Sequence, residues 1–141
     1  MNGVKMSDYL LDANILILCL RKTEGYRELL DALAKDDALY ISAMTRLEIV
    51  RGMRDHERDA TFNLLDSLEA IDVTIAIADR AGELIRSWRA KGVRIGEADA
   101  VIAATALNNE LALVTANAKH FLMQDLVVYQ ADEHGKLTLR E

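Results

Sequence analysis

Short apolar runs, most of them closed by a polar residue, set the architecture open to this chain. Tyr9-Leu10-Leu11 stops at Asp12, Ala38-Leu39-Tyr40-Ile41 stops at Ser42, and Leu111-Ala112-Leu113-Val114-Thr115 is the strongest of the set. Ala70-Ile71-Asp72-Val73 and Leu126-Val127-Val128-Tyr129 complete it. These read as buried strands. Between them lie segments with helical spacing. Tyr26 to Ala34 places Leu29, Leu30 and Leu33 on one side and is interrupted by Asp36-Asp37, and a helix capped by Ser42 carries Met44, Leu47 and Val50. His56 to Leu68 carries Phe62, Leu65 and Leu68, and Ile75 to Ala90 is amphipathic, interrupted at Gly82 and closed by an Arg89-Ala90-Lys91-Gly92 turn. Ala98 to Leu107 follows Gly96 and closes at Asn108-Asn109. Strands alternating with helices imply an α/β fold, a central mostly parallel sheet flanked by helices.

The length of 141 residues suits one domain, expected over 1–141 with the polar segment 130–141 as a peripheral tail. Hydrophobic residues make up 51% and charged residues 28%, which excludes an intrinsically disordered or collagenous chain. Proline is absent, so helix boundaries lose their commonest punctuation. The single Cys19 permits no intrachain disulfide and, inside an apolar segment, reads as core. Asp8, Asp12 and Asn14 break up the apolar run that a signal peptide needs, and no stretch reaches the ~18 apolar residues of a membrane span. The expectation is a soluble cytoplasmic protein with no membrane association.

Several acids stand at the ends of these elements. Asp12 follows the first strand, where parallel sheets collect ligands; capping of the next helix is its structural alternative, and Asn14 has the same two readings. Glu48 sits at the edge of an apolar helical stripe, either free to bind a cation or paired with Arg51 or Arg54. Asp99 opens an almost uncharged helix, whose positive end favours a carboxylate; Glu97, two positions earlier, faces elsewhere. Asn117 lies in the loop after the Leu113-Val114-Thr115 strand, where its oxygen reaches Asp12 if the two strands are neighbours.

Three carboxylates and an amide oxygen suit Mg²⁺, with Mn²⁺ as a substitute, better than Zn²⁺, because His56, His120 and His134 have no close ligand spacing. The formal net charge of -6 removes a broad basic coat, yet two local basic groups remain. Arg51, Arg54 and Arg58 follow helical spacings, and Arg86, Arg89, Lys91 and Arg94 form a second group; either one can hold RNA phosphates or be an ordinary solvated or partner-facing surface. Trp88 reads as a core or dimer anchor, and Met44 and Met53 as adaptable packing.

Four segments taken in order resemble the PIN-domain family, and within it the small VapC-type toxin ribonucleases. They are Leu10-Leu11-Asp12-Ala13-Asn14, Thr45-Arg46-Leu47-Glu48-Ile49-Val50-Arg51-Gly52, Asp99-Ala100-Val101-Ile102-Ala103-Ala104-Thr105-Ala106, and Leu113-Val114-Thr115-Ala116-Asn117 followed by His120-Phe121. The resemblance implies a metal-dependent endoribonuclease with Asp12, Glu48 and Asp99 as metal ligands. It puts Asn117 where many members carry Asp, so one charged oxygen is missing, and Thr115 beside the site, where it positions water or a carboxylate or simply caps. It further implies a homodimer and a cognate antitoxin that covers the groove with a basic side chain toward the acids. Two rival readings are a small phosphatase built on Asp12-Ala13-Asn14, which lacks a second Asp two residues on, and an RNA- or protein-binding module with a degenerate metal pocket.

Overall fold

The computed structural model describes residues 8–35 and 37–140. Asp36 and the first seven residues, over which part of the signal-peptide reading ran, lie outside them. The chain alternates as expected: β1 (Tyr9–Leu11), α1 (Ala13–Leu20), α2 (Tyr26–Ala34), β2 (Leu39–Ser42), α3 (Ala43–Gly52), α4 (Arg58–Asp66), β3 (Glu69–Ile71), α5 (Ile75–Ala90), α6 (Glu97–Asn108), β4 (Ala112–Thr115), β5 (Val128–Ala131) and β6 (Leu137–Leu139). The sheet order is β3-β2-β1-β4-β5-β6, parallel throughout except for the antiparallel β5–β6 hairpin. From β1 the chain winds outward to β3, then crosses back through α5 and α6 to enter β4 on the other side of β1. The order in which strands are added across the sheet therefore reverses between the parallel neighbours β1 and β4, and such a switch point opens a crevice at the carboxyl ends of the two strands.

Alternation along the strands divides the core into two layers. Leu10, Leu113 and Val128 point to one face and pack with Ile77 and Ala81 of α5 and Ile102, Ala103 and Ala106 of α6. Leu11, Ile41 and Val114 point to the other and pack with Ile15, Leu16 and Cys19 of α1, Leu29 and Leu30 of α2, Ile49 of α3 and Leu65 of α4. Cys19 is thus a core residue, and Trp88 packs partly buried against the first layer.

Several local expectations change. On α3 the buried residues are Thr45 and Ile49, one turn apart, while Leu47 is 51% exposed. The Ser42 side chain accepts from Met44 N–H and starts the helix at Ala43, and that phase turns Leu47 outward. The single helix expected from His56 splits into a 3-10 turn at Asp55–Glu57 and α4. Helix α5 runs unbroken through Gly82, whose missing side chain faces open space. The segment after Gln130, read as a tail, lies at the edge of the sheet but is firmly held. Gln130 bonds Ala116 and Ala118 through its side chain, and the Arg140 guanidinium donates to the carbonyls of Phe121, Met123 and Leu126.

The β5–β6 turn also touches the turn before α2. Tyr26 donates its hydroxyl to the Asp132 carbonyl at 2.8 Å, and Gly25 and Gly135 meet back to back with φ of +90° and +77°. A Cβ on Gly25 would collide with the His134 carbonyl, and one on Gly135 would stand 2.8 Å from the Gly25 carbonyl oxygen. Both positions require glycine.

Candidate active site

Asp12 ends β1 at the switch point and is 6% exposed. Its Oδ1 accepts from Ala13 N–H at 2.8 Å, which caps α1, and its Oδ2 accepts from the Thr115 hydroxyl at 2.7 Å. Asn14 locks the pair together: its amide nitrogen reaches Asp12 Oδ2 at 3.3 Å and Thr115 Oγ1 at 3.4 Å, while its oxygen accepts from Ala116 N–H at 3.1 Å. Capping and site-building are therefore one arrangement for Asp12, and Thr115 is a positioning residue. These bonds join the ends of β1 and β4, the pairing on which the sequence argument for Asn117 depended.

Glu48 and Asp99 approach from α3 and α6. Glu48 is half-buried and, among the described residues, has no ion pair; the alternative reading, a bridge to Arg51 or Arg54, does not form. Asp99 sits in the first turn of α6, its Oδ2 3.7 Å from Nδ1 of His120. Burial pushes all three carboxyls above their ordinary values. The Asp99 charge adds to the shift on Asp12, and the charges of Asp12 and Asp99 add to that on Glu48, so the three acids share one field. Hydrogen bonds from Thr115 and Ala13 and the nearby His120 oppose the shift on Asp12, and His120 alone opposes it on Asp99.

The Asn117 side chain makes no cap bond to the 3-10 turn Ala118–His120, which removes the capping explanation for its presence. Its backbone N–H donates to Thr115 Oγ1 at 3.0 Å, holding the residue beside the acids. Among the described residues, no three acidic, His or Cys side chains stand together closely enough to hold a metal ion by themselves. The donors nevertheless suit a hard divalent cation. They are oxygens, mutually repelling and partly desolvated, and Mg²⁺ keeps several waters and needs only one or two carboxylates directly.

A family model described as the PIN domain matches residues 9–124, from the first strand through the loop beyond Asn117. The chain is a PIN domain. Ribonuclease VapC10 of Mycobacterium tuberculosis is 40% identical to it over 114 residues, covering 81% of this chain and 86% of that relative. Among solved structures, VapBC2 from Rickettsia felis bound to a DNA fragment from its promoter aligns with a TM-score of 0.78 at 27% identity, over 89% of this chain and 99% of that one. A toxin–antitoxin complex from Klebsiella pneumoniae aligns with a TM-score of 0.69 at 29% identity, over 83% and 92% of the two chains.

The PIN domain distributes its arginines differently from the expectation. Helix α3 ends at Gly52, so Arg51, Arg54 and Arg58 do not share a helical face. The Arg54 backbone N–H donates to Glu57, and the Arg58 guanidinium lies 5.1 Å over the Phe62 ring. Arg86 pairs with Glu83 at 2.9 Å, and Lys91 stands 4.6 Å over Trp88. Arg89 and Arg94 are exposed and form no ion pair among the described residues. Sequence reasoning named His120 in the fourth segment and set it aside as a metal ligand, but did not foresee its place beside Asp99. Its signal was position, three residues after Asn117 at the end of the turn that faces Asp99.

Proposed function

We propose that this PIN domain is a metal-dependent endoribonuclease that hydrolyses RNA phosphodiester bonds and acts as the toxin of a toxin–antitoxin pair. The observation that carries the reading is the gathering of three carboxylates, each raised by burial, at the switch point between β1 and β4. Asp12, Glu48 and Asp99 would hold Mg²⁺, or Mn²⁺ in its place. The bound cation would supply an activated water and neutralise the phosphate in the transition state. Thr115 and Asn14 fix the Asp12 carboxylate in one rotamer, and Asn117 offers an amide oxygen to the cation or to an ordered water.

The phosphatase alternative needs Asp12 as a nucleophile. Both its oxygens already accept hydrogen bonds in a buried cap, a poor disposition for attack. A cognate antitoxin with a basic side chain directed at the acids would relieve the same repulsion that a cation relieves, and a homodimer acting in the cytoplasm completes the reading. Among the described residues no helix is long and apolar enough to cross a membrane.

The test is incubation of the purified protein with labelled RNA in Mg²⁺, in Mn²⁺ and in EDTA, beside a phosphate monoester. Cleavage of RNA restored by either cation and lost in D12N is expected. Turnover of the monoester with intact RNA would favour the phosphatase, and RNA retention without cleavage the binding module.

A further inference from the structure

The turn after β4 brings to the acids one side chain that neither capping nor packing explains. Thr115 Oγ1 accepts from Asn117 N–H at 3.0 Å, His120 N–H donates to the Asn117 carbonyl at 3.0 Å, and the Gln130 side-chain oxygen accepts from Ala118 N–H at 2.7 Å. Phe121, fully buried in the first layer, closes the turn. The backbone of Ala118–His120 is therefore held at both ends, and it carries the His120 ring to the rim with half of its side chain in solvent.

The two nitrogens of that ring are in different positions. Nδ1 stands 3.7 Å from Asp99 Oδ2, whereas Nε2, across the ring, has no hydrogen-bond or ion-pair partner among the described residues. His134 shows the contrast, with Nδ1 on Glu24 at 3.3 Å and Nε2 on Glu133 at 3.6 Å. A group that occupies Nε2 of His120 thus comes from outside the chain. A phosphate gathered at the acids is joined to a ribose 3′-oxygen, and in RNA the neighbouring ring carbon bears a hydroxyl. That 2′-hydroxyl both donates and accepts, so it pairs with Nε2 in whichever tautomer the ring adopts, while a phosphate oxygen only accepts. DNA has no group at that carbon to pair.

We propose that His120 contacts, through Nε2, the ribose 2′-hydroxyl of the nucleotide on the 5′ side of the scissile phosphate and so selects RNA over DNA. The inference rests on the ribonuclease reading and deepens it. The carboxylates act on a phosphodiester that both nucleic acids share, and His120 reads the sugar that only one of them has. Asp99, by facing Nδ1, sets the direction in which Nε2 points.

The experiment measures single-turnover cleavage in Mg²⁺, by the full-length protein, of a short RNA oligonucleotide and of the same strand with one 2′-deoxy sugar on the 5′ side of the mapped cut. Wild type, H120A, H120N and H120Q are compared, because asparagine keeps a nitrogen near the place of Nδ1 and glutamine keeps one near the place of Nε2. Wild type should cut the all-ribose strand about three- to tenfold faster than the single-deoxy strand, the scale of one hydrogen bond. H120A and H120N should slow the all-ribose strand by that same factor and cut both strands at equal rates, so that the sugar change and the side-chain change do not multiply. H120Q should keep most of the preference. An H120A variant that still prefers the all-ribose strand by the wild-type factor overturns the proposal. Rescue by H120N and not by H120Q, or Mn²⁺ affinity that falls in step with cleavage in H120A, also overturns it and makes His120 a positioning residue for Asp99. Wild-type protein that cuts both strands equally fast removes this inference alone, whereas wild-type protein that cuts neither removes the ribonuclease reading with it.

Discussion

Two places at the carboxyl edge of the sheet treat their carboxylates in opposite ways. In the β5–β6 turn, Asp132 accepts N–H bonds from His134 and Lys136 at 2.8 and 2.9 Å, and these bonds hold its carboxyl below the ordinary range. At the switch point, Asp12, Glu48 and Asp99 are raised by burial, and Glu48 has no bonded partner among the described residues. The same fold that satisfies the β5–β6 edge down to three carbonyls on one guanidinium leaves its acidic rim in mutual repulsion. Asp132 is satisfied by local backbone bonds, whereas Glu48 is left beside two other acids without an ion pair among the described residues.

The largest effect that would sharpen this contrast is catalytic. D12N should lower Mg²⁺-dependent RNA cleavage about a thousandfold, because it removes the most buried charge of the cluster while keeping an oxygen for the α1 cap. Its melting temperature should stay near that of wild type. Cleavage within a factor of a few of wild type, at matched RNA and cation concentrations, breaks the assignment.

At the other end, Arg140→Ala strips donors from three backbone carbonyls of buried residues. Stability measured by urea unfolding should fall by about 2 kcal/mol, with RNA cleavage per folded molecule unchanged. A cleavage defect larger than the folding defect would show that edge and rim are coupled.

N117D tests the rim more gently. A fourth negative oxygen should tighten Mn²⁺ binding about three- to tenfold, roughly 1 kcal/mol, in a calorimetric titration. Identical affinities would place Asn117 outside the ligand set.

The smallest effect carries a distinctive sign. A carboxyl raised in the folded state binds more protons there than in the unfolded chain, so its contribution to stability worsens as pH rises through the carboxyl range. E48Q should therefore stabilise the protein in EDTA at neutral pH by up to about 0.5 kcal/mol after solvent screening, and the gain should vanish at a pH acid enough to protonate Glu48 in wild type. An E48Q variant less stable than wild type at neutral pH would make Glu48 a structural acid.

Much of this contrast was legible in the sequence where local chemistry decides. Tyr26–Ala34 and Ile75–Ala90 form with the bounds their spacing predicts, and Ser42 caps α3 as a serine in that place should. The acids were visible because each interrupts an apolar segment. What could not be read was set by distant pairing. The segment 130–141 looks dispensable in sequence because an edge strand needs little apolar surface, and its anchor, Arg140, meets its partners 14 to 19 residues away. Leu47 was misplaced because the spacing of Met44, Leu47 and Val50 drew attention from Thr45 and Ile49, the pair four apart that the helix buries. The Asp12–Thr115 bond spans 103 residues, and only the β1–β4 neighbourhood makes it.

The hydroxyl that steadies Asp12 also orders events in time. Synthesis runs from the amino end, so Asp12 and Glu48 leave the ribosome well before Asp99 and Thr115 exist. The β1 strand has no β4 to pair with until then, and Gly25 has no Gly135 to meet until residue 135 is joined. A nascent chain accordingly carries half a cleft, with neither the α6 carboxylate nor the Thr115 anchor in place. The centre matures only once α6 and β4 have followed the first half of the chain.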